Sequence, residues 1–66
     1  MKSYEEVVER AARRIFDSYM GGSYDYYNVV DYDEIAFIFG KTELGVYEDC
    51  KKAFSAKVIA RLHHSE

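Results

Sequence analysis

Asp31-Tyr32-Asp33-Glu34-Ile35-Ala36-Phe37-Ile38-Phe39-Gly40 is the stretch on which the fold turns. Read as a helix over 32–39, it has Asp31 as N-cap, Glu34 answering three residues later, and Gly40 as the stop. Read as strands, residues 26–30 and 35–39 flank an Asp-Tyr-Asp-Glu turn and give a hairpin at 26–39. Both runs are rich in β-branched and aromatic residues, so composition suits the strands as well. Two features favour the helix. Its ends carry helix punctuation, and an isolated two-stranded hairpin is marginally stable at best.

Downstream, Thr42 is the next N-cap, followed by a helix over 43–62. Leu44, Tyr47, Cys50, Ala53, Phe54, Val58 and Leu62 form one stripe of it, widened by Val46 and Ile59. Glu43 lies in its first turn and the lysines and Arg61 come later, as the helix dipole prefers. Gly45 in the first turn costs up to ~1 kcal/mol against alanine, which implies a close neighbour. His63 to Glu66 is expected to fray.

Upstream, Gly21 to Asn28 reads as a loop, with two glycines, a serine and an aspartate. Tyr24, Tyr26 and Tyr27 lie in it, close to Tyr19 and Tyr32. Their rings can drape over a small core, stack on bases or meet a protein. Before the loop, Ser3 and Glu6 make a capping box. Tyr4, Val7, Val8, Ala11, Ala12, Ile15, Phe16 and Tyr19 then recur at helical spacing over 4–20. The expected architecture is all-α, a small three-helix domain with helices at 4–20, 32–39 and 43–62. The alternative is α+β with the hairpin.

The 66 residues make one domain. A chain of this size buries only about 60% of the surface its unfolded form exposes, and such domains often lean on a partner or self-association. With 48% hydrophobic and 17% aromatic residues, a folded core is expected rather than disorder. One cysteine excludes an internal disulfide, and two histidines beside it make a poor metal set, so no metal or other cofactor is expected. No apolar run approaches the ~20 residues that span a bilayer, and Met1 to Glu6 has no hydrophobic signal region. Together these suggest a cytoplasmic protein without a membrane. The net charge of −3 is unevenly spread: residues 21–40 carry only acids, whereas Lys51, Lys52, Lys57 and Arg61 make the far end basic. Complementary segments of this kind can pair within one fold or between copies.

The pattern Ile35-Ala36-x-x-Phe39-Gly40-x-Thr42-x-x-x-Val46 resembles the helix-turn-helix of bacterial DNA-binding domains such as those like sigma-factor region 4. Small Ala36 permits a close helix crossing, Gly40 the left-handed turn, and Val46 reaches back into the crease. The resemblance implies a second helix entering the major groove of duplex DNA. Thr42, Glu43, Leu44, Tyr47 and Glu48 would be the reading residues, with Lys51 and Lys52 toward phosphates. Lys41 stands where the family has an apolar residue. Glu43, Glu48 and Asp49 would face a phosphate lattice that rewards lysine and arginine.

Other chemistry finds little support. Starting from Asp25 or Asp31, the acids miss the ligand spacing and glycine of a calcium loop. Cys50, the one thiol nucleophile, falls on an apolar stripe, and His63 and His64 sit near a chain end. No enzyme is expected. The remaining features point to contact. With Phe37 opposite Ile35 and Phe39, the 32–39 helix is apolar nearly all round, and such a helix is deeply buried or part of an interface. The leading expectation is a self-associating or partner-binding module, most simply a homodimer. Tyr24, Tyr26, Tyr27, Tyr32, Phe37 and Ile38 would lie at the contact with the second copy or another protein. A DNA-binding regulator is the rival. An acidic inhibitor protein of the mobile-element kind is a third reading.

Overall fold

A computed structural model describes residues 2–22, 26 and 28–64. Three helices follow in order: α1 (Tyr4–Met20), α2 (Tyr32–Phe39) and α3 (Glu43–His64). No strand occurs among the described residues, and 32–39 is helical, so the hairpin alternative falls. α3 runs two residues past the expected end at 62. His63 and His64 continue it, joining Arg61 as basic groups in the last turn, where they complement the dipole.

The ends of the helices follow from specific side chains. At Ser3 the capping box is complete: the Glu6 N–H donates to Ser3 Oγ at 3.2 Å, and the Ser3 N–H donates to Glu6 Oε1 at 3.1 Å. The Ser3 backbone bond, helped by its hydroxyl, holds the Glu6 carboxyl below its ordinary range. α2 lacks the expected counterpart. Asp31 occupies the cap position with ψ at 79°, not the 163° of Ser3, and its carboxylate makes no capping bond. The Glu34 N–H is met instead by Asp33 Oδ1 at 2.9 Å. Gly40 closes α2 in the left-handed conformation at φ 67°, and the next N–H, from Lys41, donates to the Ala36 carbonyl at 2.9 Å. Thr42 opens α3, its Oγ1 accepting from the Gly45 N–H at 3.0 Å. The close neighbour expected at Gly45 is that same oxygen, 3.0 Å from where a Cβ would stand.

α3 is the wall on which the other two helices lean, while α1 and α2 touch each other only lightly. Tyr4 at the start of α1 reaches Asp49, and Phe16 and Tyr19 near its end meet Phe54, so contacts with α3 extend along the whole of α1. The core is built from Val8, Ala11, Ala12 and Ile15 of α1, Val30, Tyr32 and Ala36, and Val46, Cys50 and Phe54 of α3. Two successive alanines at the centre of α1, Ala11 and Ala12, are buried. Phe54 gathers the rings of Phe16, Tyr19 and Tyr26 at centroid separations of 6.5, 5.5 and 5.4 Å. These lie within the range in which tilted and edge-to-face pairs are favourable.

The inward stripe of α3 differs from the expected one. Val46, Cys50 and Phe54, four residues apart, lie at its centre, while Leu44, Ile59 and Leu62 are exposed. Leu44 sits two residues from Val46, about 200° around the helix, and so faces away. Leu62 lies two turns beyond Phe54, where the end of α1 already packs. No helix among the described residues is long and apolar enough to cross a membrane.

Candidate protein-contact site

α2 divides its eight residues between two faces. Tyr32 and Ala36, one turn apart, are buried on α3, with Ile35 and Phe39 half-buried beside them. At 100° per residue, Asp33, Glu34, Phe37 and Ile38 occupy the opposite half. Phe37 is 89% exposed and Ile38 56%. Burying a phenylalanine is worth about 1.5–3 kcal/mol, so leaving this ring in water forgoes as much stabilisation as many small domains can spare.

The tyrosines expected beside them separate. Tyr32 is only 3% exposed; its ring meets Tyr47 edge-on at 5.3 Å and its hydroxyl donates to the Tyr26 carbonyl. It serves the core and offers no contact surface, because its position one turn before Ala36 points it at α3. Tyr26 is half-buried against Phe54 and, with Tyr19, Val58 and Ile59, borders a shallow apolar groove. Tyr24 and Tyr27 lie outside the described residues.

The candidate DNA-reading residues are spread along the start of α3. Thr42, Glu43, Lys51 and Lys52 are exposed, and Leu44 is 66% exposed. Tyr47 is half-buried with its ring committed to Tyr32. Glu48 is exposed beside them, as is Asp49, which accepts from the Tyr4 hydroxyl at 2.5 Å. Arg10, Arg13 and Arg14 do not supply a basic flank here; they face the start of α2.

That placement reveals a feature that the sequence reading missed. A cleft of about 440 Å³ lies between α1 and residues 29–35. Lys2, Arg10, Arg13 and Arg14 stand on the α1 side together with one acid, Asp17, and Asp31 and Glu34 stand on the other. Val7, Ala11, Val29, Val30 and Ile35 supply its apolar lining. Among the described residues no ion pair joins the two walls. The signal was present as arginines at helical spacing on the polar face of α1 and acids at 31–34. Their meeting depends on how the loop returns, which periodicity does not encode. Elsewhere, Lys57 of α3 pairs with Glu9 of α1.

Among the described residues, no three His, Cys, Asp or Glu side chains are grouped so as to hold a metal ion. Cys50 is fully buried, and burial, with Asp49 next to it, pushes its thiol up to about 11. It is therefore neutral near pH 7 and poorly nucleophilic. The described residues define a small all-α domain in which the outer face of α2 leaves an aromatic ring uncovered. Compared with models of known families, with curated proteins and with solved structures, the chain matches none of them.

Proposed function

We propose that this chain is a non-catalytic interaction module that self-associates through the outer face of α2. The observation that carries this reading is the exposure of Phe37 beside Ile38 on a helix whose other face packs on the core through Tyr32 and Ala36. Interface centres are enriched in aromatic residues, and contacts built around one such anchor are typical of them. The small core adds a reason, since a second copy supplies further burial to a chain of 66 residues. Sedimentation or light scattering is expected to find a dimer, and Phe37→Asp is expected to leave a folded monomer. A wild-type chain that stays monomeric at high micromolar concentration overturns the reading.

Duplex DNA binding through Thr42, Glu43 and Leu44, with Tyr47 beside them and Lys51 and Lys52 toward phosphates, is the second reading. The exposure of Thr42, Glu43 and Leu44 at the start of α3 supports it. It stands second because Glu43 and Glu48 share that surface, and each acid repels the phosphates that the lysines attract. This reading requires binding to duplex DNA that falls steeply with salt and is lost in K51E/K52E. Absence of binding at low salt ends it.

A further inference from the structure

We propose that the cleft between α1 and residues 29–35 is the seat for the α2 face of a second copy. Phe37 of each chain would enter the cleft of the other about a two-fold axis. The inference rests on the self-association reading and names where its aromatic anchor goes.

A two-fold interface brings one patch against itself, so the patch must be self-complementary. A patch of one charge fails that requirement. A patch with a basic half and an acidic half meets it when the axis passes through the boundary. The cleft is such a boundary: Arg10, Arg13, Arg14 and Lys2 outweigh Asp17 on the α1 side, and Asp31 and Glu34 make the other side acidic. Rotation about it sets Arg13 and Arg14 of one copy against Asp33 and Glu34 of its neighbour, and the reverse. Guanidinium groups favour carboxylates because two parallel hydrogen bonds can form at once.

The apolar parts fit the same arrangement. Phe37 follows Glu34 by three residues on the exposed side of α2, so an acid docked on the arginine wall carries the ring toward the floor. The volume of about 440 Å³ falls in the range of about 300–1,000 Å³ that accommodates drug-sized ligands. A phenyl ring therefore finds room. Interfaces of ordinary size bury about 800 Å² per partner, roughly a sixth of the 4922 Å² that this chain exposes.

The test is charge reversal on each wall. R13E/R14E and D33R/E34R chains, each checked for helicity by circular dichroism, are expected to sediment as monomers. Their dissociation constants should rise at least tenfold over wild type. An equimolar mixture should recover a 1:1 dimer, since reversed walls now match. A photo-crosslinker at position 37 should link to residues 7–14 or 29–35 of the second chain. Folded variants that dimerise as tightly as wild type, or a mixture that stays monomeric, overturn this seat. If Phe37→Asp still yields monomers in that event, the α2 contact survives and only its docking place is wrong. A monomeric wild type removes both.

Discussion

The Tyr4 hydroxyl donates to Asp49 Oδ2 at 2.5 Å, joining the first residue of α1 to the second turn of α3 across 45 positions of sequence. The same ring lies edge-on to Phe39 at 5.4 Å and carries Lys41 Nζ 4.4 Å from its centroid. One side chain therefore touches all three helices or their joints. Burial of the ring, then the bond and charge of Asp49, hold the hydroxyl in its neutral form and raise its pKa above the ordinary value.

Tyr4→Phe keeps the ring and removes the bond, at an expected cost of about 0.5–1.5 kcal/mol near pH 7. The pH dependence has a definite sign. A pKa raised in the folded state gives stability that is complete below the unfolded value of about 10 and is lost as pH climbs from there. Urea titrations at pH 8 and 10.5 should show a steeper alkaline loss in wild type than in the variant. Equal slopes remove the role assigned to the hydroxyl.

Phe37 and Phe54 should behave as opposites. Phe54→Ala empties the centre of an aromatic cluster and is expected to cost about 3–5 kcal/mol, enough to unfold much of so small a domain. Phe37→Ala should leave the monomer within about 0.5 kcal/mol of wild type. What it should abolish is the rise of Tm with protein concentration expected of a self-associating chain. Thermal scans over a hundredfold concentration range separate the two effects.

The joint between α2 and α3 depends on Gly40, whose φ of 67° disfavours any side chain with a Cβ. Gly40→Ala should lose about 1–2 kcal/mol, and Gly40→Asn less, because asparagine tolerates that region better. A Gly40→Ala chain as stable as wild type in urea would mean that the turn can be remade without the left-handed residue.

Cys50 should resist alkylation. Its thiol is fully buried and pushed up to about 11, so the thiolate that reacts is scarce below pH 9. Labelling by iodoacetamide at pH 8 should proceed only at the rate at which the domain opens, and should jump in denaturant. Rapid labelling of native protein would contradict the packing of α1 on α3.

Much of this fold could be read from single residues. Ser3 with Glu6 marked the start of α1, and Gly40 with Thr42 marked the joint, because caps and turns are local chemistry. Three other features were not local. Val46 rather than Leu44 centres α3, which depends on the direction from which α1 and α2 approach. Tyr32 lies in the core because α2 needs a large residue one turn before Ala36. The opposed charges of the cleft face each other only because residues 29–35 lie beside α1 in the folded chain. The exposure of Phe37 was within reach, since a short helix with apolar residues all round cannot bury every side.

The dependence of α1 and α2 on α3 has a consequence for biosynthesis. Both earlier helices are synthesised before the surface that they pack on exists. Until Phe54 has been made, the nascent chain holds an unshielded apolar stripe on α1 and an aromatic helix with no support. Folding must therefore follow, rather than accompany, synthesis of the first two helices. A message truncated between the codons for Gly40 and Phe54 would yield a fragment with hydrophobic segments and no core, a natural client for chaperones and proteases.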